Sequence, residues 1–547
     1  MVSPTPSTHC KVLVVGGGPA GSYAATALAR EGIEVMLFEA AQFPRYHIGE
    51  SMIPSLRAYA QFIGAEGKIV GHGFCKKPGA AAKFSQFKKE GYTDFTAMGK
   101  ENYSWNVIRS EFDELLLNHA RECGVQVFEL TKVNSITYAE GTGKPKSANW
   151  THTPSGDVSP TMGATSFDYI VDATGRMGLI STGHLKNRKF NESLKNIAIW
   201  AYWTGTGKYG VGTDRENAPW FEALSGILHH ISIDIRDLIF VPADETGWAW
   251  FIPLHNGQTS IGVVMNQRAL NAKTRAANAS ETKLSLLARY QSYLPLAPGL
   301  LKLIGNGKLV PKSSDLGEPL VRSASDFSYQ ADKYAGDGYR IAGDAGAFID
   351  PFFSSGVHLA FTSALSAAAT IAASLRGDCT EIEAADWHTA RFQLVVLSAY
   401  KQMRAQHSNV LSDIDDDNFD KAFGFLRSSR SSNRYTITLL NCEPGTVIQG
   451  ASEVGRRLSE DEVQRSLEFC VCAIHGPNVP EKNDEVEEGP DGHHPAPSAP
   501  LDHQVAENAQ STREVVYQEF RLNNVELEGV NGYSVRLEQG KLGLKKA

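Results

Sequence analysis

The sequence contains no CxxC pair, and its seven cysteines (Cys10, Cys75, Cys123, Cys379, Cys442, Cys470 and Cys472) are odd in number and widely scattered. That spacing argues against a disulfide framework and a zinc site, so reduced thiols and no metal centre are expected. Positive charge is not in excess: 53 Lys plus Arg face 61 Asp plus Glu, a net charge of -8. Nothing therefore draws the chain to nucleic-acid phosphates or anionic lipid, and neither partner is expected. Long runs of large apolar side chains are missing too. The most membrane-like stretch, residues 358–375, consists mainly of Ala, Ser and Thr and reads as a helix packed in a soluble core. Residues 1–9 lack a basic segment followed by an apolar one, so nothing marks secretion and a cytoplasmic location is expected. There is no internal repeat. What is present is a chain of 547 residues, 42% hydrophobic and with 50 glycines, long enough for several domains and suited to a soluble enzyme.

Residues 11–15 form a short apolar run that stops at Gly16, and residues 22–30 are rich in alanine. This order predicts strand, tight turn and helix, with a second strand at 33–38. Further strands are expected at 126–129, 169–172 and 339–341, so the sheet must carry large insertions. Residues 197–266, aromatic and β-branched with turn signals at intervals, suit an antiparallel sheet. From about 350 to 440 the pattern is helical, including residues 384–406. The expected organisation is a discontinuous core over 1–380 with an inserted sheet at about 180–330, then a helical region at 381–474. Residues 475–512, rich in Pro, Glu, Asp, Asn, Gly and His, read as a flexible linker, and 513–547 as a small β element.

Gly16-Gly17-Gly18-Pro19-Ala20-Gly21 places glycine at positions one, three and six of a turn between strand and helix, and Glu39 ends the next strand. Glycine lets the backbone approach a pyrophosphate, the helix N-terminus favours its charge, and Glu39 can accept from a ribose 2′-hydroxyl. Glycines in a bare turn would be weak evidence, but strand, helix and acidic residue all match, which favours a dinucleotide. Two later segments, Asp172-Ala173-Thr174-Gly175-Arg176 and Gly343-Asp344-Ala345, are similar to those of FAD proteins of the aromatic-hydroxylase (GR2) type. That resemblance implies a Rossmann-like α/β fold binding FAD, with Asp344 reaching the ribityl and pyrophosphate. Arg109 fits the arginine such proteins use beside the cofactor, although an arginine pairing on a helix surface would look the same. No second fingerprint for a nicotinamide cofactor is present.

The chain further resembles the flavin-dependent halogenases, and within them the fungal enzymes that chlorinate phenolic polyketides. Four blocks carry the resemblance: Gly247-Trp248-Ala249-Trp250-Phe251-Ile252-Pro253, which reproduces the WxWxIP pattern; Arg45-Tyr46-His47-Ile48-Gly49-Glu50-Ser51-Met52-Ile53-Pro54; Lys77-Pro78-Gly79-Ala80; and Asp350-Pro351-Phe352-Phe353-Ser354-Ser355-Gly356. The resemblance implies chlorination by chloride, O2 and FADH2 from a separate reductase, by way of a flavin hydroperoxide and hypochlorite. Arg45 and Ser51 would belong to the cofactor site. Trp248, Trp250, Ile252 and Pro253 would wall the flavin from the organic substrate, where two tryptophans on one strand would otherwise read as core packing. Halide would sit on the amides of Ser355 and Gly356, donors at a helix N-terminus. Lys77 would receive the hypochlorite and aim it; Lys83 is its rival, since on one continuous strand residues 77, 79, 81 and 83 share a face. Phe353 stands where tryptophan halogenases carry a glutamate, which points to a phenol that activates its own ring and away from tryptophan.

Three other readings stay open on sequence grounds. A class A FAD monooxygenase shares the glycine motif and Gly-Asp, but it lacks WxWxIP and would oxidise NADPH itself and hydroxylate its substrate. A geranylgeranyl-reductase-like enzyme would need a long apolar tunnel. A flavin-binding protein without catalysis would show no chloride-dependent product.

Overall fold

The computed structural model describes residues 5–83, 89–154, 159–225, 247–271, 284–310, 320–409 and 529–547. The expected linker at 475–512, and the expected helical region beyond 409, lie outside the described residues.

The first strand, His9–Val15, is buried along most of its length and runs parallel to Val35–Phe38 on one side and Thr161–Asp172 on the other. Gln126–Phe128 and Tyr339–Ile341 extend the parallel set outward, and Ala335–Gly336 closes one edge antiparallel. The near-continuous apolar runs in these strands follow from burial on both faces, which parallel sheets require. Helix Pro19–Arg30 packs against helix Gly356–Arg376. Ala24, Ala25, Ala364, Ala367 and Ala368 are fully buried there, and side chains this small let two helix backbones come close. Gly356–Arg376 is 21 residues long and apolar enough to cross a membrane, yet 89% of its apolar window is buried, as in a core helix.

A second sheet is built on Lys189–Thr204, Gln258–Asn266, Gly247–Pro253 and Trp220–Ala223, paired antiparallel in that order. It differs from the sequence expectation in one respect. Gly79–Lys83 joins Trp220–Ala223 in parallel, and Gly91–Asp94 pairs beyond it, so two strands come from well before residue 180. Alternation along a strand identifies its faces but not its partner, which is why that recruitment was not legible.

Near the chain end, Tyr533–Arg536 and Gly543–Lys546 form an antiparallel hairpin, and Trp387 Nε1 donates to the Tyr533 carbonyl at 3.0 Å. Among the described residues, one compact unit holds both sheets and the terminal hairpin and comprises residues up to 400 together with 529–547.

Candidate functional site

A cavity of about 470 Å³ opens beyond the C-terminal end of the first strand. Gly16, Gly18, Ala20, Glu39, Arg45, Ser51, Arg109, Asp344, Trp248, Trp250, Ile252 and Gly356 all line it, drawn from segments more than 300 residues apart. Gly21, Pro253, Ser355 and Lys77 are outside its lining.

The glycine turn shows what each glycine is for. Gly16 has φ +106°, and a Cβ there would stand 2.2 Å from the Ala173 carbonyl oxygen. A Cβ on Gly21 would stand 1.8 Å from the Gly16 carbonyl oxygen, so this glycine serves close packing of helix on strand. Gly18 is different. Its backbone is extended, at φ -68° and ψ -175°, and a Cβ would meet only Arg45 Nη2, at 3.3 Å. The fold does not require glycine at 18, but a group approaching the uncapped N-terminus of Pro19–Arg30 would. Glu39, buried behind the turn, accepts from the amides of Gly17 at 2.5 Å and Ala41 at 2.7 Å. This cradle fits a dinucleotide pyrophosphate.

Arg109 and Arg45 converge on one carboxylate that the sequence reading did not single out. Fully buried Asp113 accepts from Arg109 Nε at 2.9 Å and Nη2 at 3.0 Å, and from Arg45 Nη1 at 3.0 Å. Its i,i+4 spacing from Arg109 was the available signal. Arg109 Nη1 also donates to the Ile48 carbonyl at 2.8 Å, which ties the helix to the segment carrying Ser51. The Arg109 charge, together with burial, pushes the neighbouring His47 imidazole down to about 4. Asp344 is half-buried in the cavity lining, and desolvation pushes its carboxyl up to about 6 against the charges of Arg176, Arg109 and Arg188.

The tryptophan strand makes an aromatic wall. Trp248 and Trp250 project to one face with centroids 5.8 Å apart, and Trp200 continues the row 6.4 Å from Trp250. Phe221 and Phe352 complete it, at 6.0 Å and 5.0 Å from Trp248. Ala249 and Phe251, pointing the other way, fill the core of the second sheet. Gly262, directly opposite Trp250, leaves the space the indole fills: a Cβ there would lie 2.3 Å from the ring.

At the loop after Asp350, the Asp350 side chain accepts from the Phe352 amide at 2.9 Å and from Asn196 Nδ2 at 2.7 Å. Ser354 is left-handed at φ +58°, and Ser355 is the N-cap of the long helix without a capping side-chain hydrogen bond. The first-turn amides, beginning at Gly356, therefore meet the cavity with no side-chain cap.

The lysine geometry overturns the expectation of one shared strand face. Lys77 ends Cys75–Lys77, which pairs with Ser104–Asn106, whereas Lys83 ends Gly79–Lys83 in the large sheet. Pro78 separates the two strands, and a proline cannot continue a hydrogen-bonded ladder. Lys77 is 1% exposed, and its Nζ donates to Ser51 Oγ and the Met52 carbonyl, both at 2.8 Å. Burial pushes this amine down to about 7. Ser51 lines the cavity, so the lysine stands one side chain behind its wall.

Glu50, Tyr46 and Tyr202 were also missed. Tyr202 donates to Glu50 Oε1 at 2.6 Å and lies 3.1 Å from the Tyr46 hydroxyl, which accepts from Trp200 Nε1 at 2.7 Å. Away from the cavity lining, Glu111 Oε2 lies 3.5 Å from His72 Nε2 and 3.1 Å from His255 Nε2, a half-exposed cluster drawn from three separate segments.

A family profile described as tryptophan halogenase matches residues 11–70 and 240–395. The chain is 46% identical over 564 residues to the flavin-dependent halogenase armH1 of Armillaria mellea, covering 98% of each chain. Among solved structures it superposes on CmlS, a flavin-dependent halogenase, with a TM-score of 0.65 at 24% identity over 99% of this chain and 84% of that one. The myxobacterial chondrochloren halogenase CndH, described as a variant of the FAD-dependent halogenases, gives 0.61 at 23% over 86% and 98%.

Proposed function

Since the chain belongs to the flavin-dependent halogenases, we propose that it chlorinates an electron-rich carbon of a phenolic, polyketide-type aromatic, using chloride, O2 and FADH2 supplied by a separate flavin reductase. The observation that carries this reading is the common cavity: the glycine cradle, the aromatic wall and Gly356 at the uncapped start of the long helix border one space, with Lys77 anchored on its Ser51.

FAD would be held by the backbone at Gly16, Gly18 and Ala20, with Gly21 letting the helix sit close on the strand, by Glu39 at the ribose, and by Arg45, Arg109, Ser51 and Asp344. Bound and reduced, it supplies two electrons to O2. The protein's own groups then do the following. Asp113 fixes both arginines, so their charge is presented without side-chain rearrangement. The wall of Trp248 and Trp250, backed by Ile252 and Pro253, keeps the arene from the flavin, which favours halide over direct hydroxylation. Halide is stabilised by the amides of Ser355 and Gly356. Two of the three protons of the Lys77 ammonium are used by Ser51 and Met52, leaving one to polarise hypochlorous acid beside the arene. A phenol activates its ortho and para carbons, which supports Phe353 in place of a carboxylate.

The test is incubation with a flavin reductase, NADH, FAD, chloride and a panel of resorcylate, orcinol-type, anthraquinone and indole compounds. The isotope pattern of chlorine should appear in a phenolic product. A hydroxylated product formed from NADPH without a reductase or chloride overturns the reading in favour of a class A monooxygenase.

Replacement of Gly356 by proline tests the halide loop. Gly356 is the first residue of its helix, a position that accepts proline, and the cost falls on Ser355, whose helical backbone proline disfavours. The change removes one amide donor and should raise the chloride concentration needed for half-maximal chlorination by ~10-fold or more. An unchanged chloride dependence would place the halide elsewhere.

A further inference from the structure

Three side chains outside the cavity lining converge on one point and have no part in the proposed chemistry. Glu111 Oε2 lies 3.1 Å from His255 Nε2 and 3.5 Å from His72 Nε2, and the three ligand atoms are all within 4.8 Å of one another. Each comes from a different element. His72 is the last residue of helix Glu66–His72, which Gly73 ends in a left-handed conformation at φ +88°. Glu111 belongs to the first turn of Arg109–Glu122. His255 occupies the turn that follows Gly247–Pro253, closed by a hydrogen bond from the Leu254 amide to the Gln258 carbonyl at 2.9 Å. Residues so far apart in the chain carry no ligand-spacing signature, which is why the cysteine pattern alone led to the expectation of no metal centre.

The two imidazoles are held in place by packing. Phe74, 4% exposed, stacks on His72 with centroids 4.0 Å apart and rings 13° from parallel, and it meets His255 edge-on at 5.4 Å and 88°. Phe74 also packs on Phe112, the residue after Glu111, at 6.0 Å. One buried phenyl ring thus orients both imidazoles, and both bring Nε2 to the same carboxylate oxygen.

The distances suit a shared cation better than a pair of hydrogen bonds. Zinc bonds of about 2.0–2.2 Å place neighbouring ligand atoms of a tetrahedral site roughly 3.3–3.5 Å apart. The separations of 3.1 Å and 3.5 Å bracket that spacing, whereas 3.5 Å is beyond the ordinary N–H···O range of about 2.7–3.2 Å. Two imidazole nitrogens with one carboxylate oxygen suit zinc and its first-row neighbours; magnesium and calcium prefer oxygen throughout. The side chains are between 21% and 37% exposed, so a hydrated cation can enter and keep a water in the fourth position.

We propose that His72, Glu111 and His255 bind one zinc ion, with water completing its coordination. The ion ties together three segments that each lead into the functional site: the helix that begins with Arg109, the strand that carries Trp248 and Trp250, and the segment that runs through Phe74 to Lys77. It lies outside the cavity lining, so it touches neither cofactor nor substrate and acts by stabilising the folded arrangement. The zinc site and the chloride-using reading of the cavity are independent of each other.

The test uses the FAD holoenzyme after dialysis against a chelator, titrated with zinc in competition with a chromophoric indicator, with cobalt(II) as a second probe. His255→Ala and Glu111→Gln should each weaken the site by ~100-fold or more, since loss of a mere outer-shell partner already costs about 10–100-fold. The chain has 16 histidines, so zinc held elsewhere persists in the variants and the quantity to compare is the difference, one ion per chain. Without metal the three proteins should melt close together, because the replaced side chains are partly exposed; zinc should then raise the wild type above both variants. Cobalt(II) should give the wild type the visible bands of a four-coordinate site and give neither variant those bands, and a large excess of magnesium should leave bound zinc in place. Equal zinc stoichiometry and affinity in all three proteins, zinc bound by the wild type only at millimolar concentration, or displacement of the zinc by magnesium overturns the proposal.

Discussion

Lys77→Met should abolish chlorination while FAD binding and the oxidation of reduced FAD by O2 persist. Lys77 does not line the flavin cavity, and its donors point at Ser51 and Met52, so its loss frees the Ser51 hydroxyl but leaves the glycine turn, Arg45 and Arg109 in place. Methionine keeps the length and fills the buried volume but offers no N–H to hypochlorous acid, and removal of such a donor costs a factor of ~10²–10³ or more. Product formation per reduced flavin is the quantity to measure, beside flavin retention and stopped-flow flavin oxidation. Lys83→Met is the control and should keep most of the activity, because Lys83 belongs to a different strand pairing. An active Lys77→Met with an inactive Lys83→Met would exchange the two roles; two active variants would remove the lysine from the mechanism.

The same substitution carries a stability signature. The folded-state pKa of Lys77 is pushed down to about 7 from an ordinary value of 10.5, so the unfolded chain binds more protons between those values. The Lys77 contribution is therefore least favourable below about 7 and improves as pH rises toward 10.5. Lys77→Met, freed of the buried charge, should melt no lower than the wild type, with its advantage largest below about pH 7 and shrinking in alkali. A variant that melts far below the wild type at every pH would mean that the lysine is chiefly structural.

Gly18→Leu should yield a folded protein that emerges colourless, with FAD affinity reduced by ~100-fold or more. The extended backbone at Gly18 suits any residue, and its Cβ position faces Arg45 Nη2 alone, so the fold tolerates the side chain while the incoming pyrophosphate does not. Circular dichroism and melting without FAD should match the wild type. Gly21→Leu, by contrast, would drive a side chain into the Gly16 carbonyl and should fail to fold. Stoichiometric FAD retained by Gly18→Leu would sink the assignment of this turn to the cofactor.

Much of the site was legible because its signals are local. The turn at Gly16 to Gly21, Glu39 at the end of the following strand, and the alternation that puts Trp248 and Trp250 on one face depend only on backbone period and on what glycine permits. Pro78 was also a readable signal, since it ends the lysine strand before Gly79–Lys83 begins, and giving Lys77 and Lys83 one face overlooked it. Asp113 was readable in part, by its spacing from Arg109, but its service to Arg45 joins residues 68 positions apart.

The sequence by itself determined the α/β class, the glycine turn between strand and helix, the aromatic strand and the membership of the halogenase family, because each is written in contiguous residues whose period or motif is its own signature. Only the tertiary structure decided that strands from residues 79–94 join the inserted sheet, that Lys77 is buried behind Ser51, and that Glu50 meets Tyr202 across 152 positions. Those depend on which strand pairs with which and on where a desolvated charge finds a donor, and neither strand partnership nor desolvation has a period along the chain.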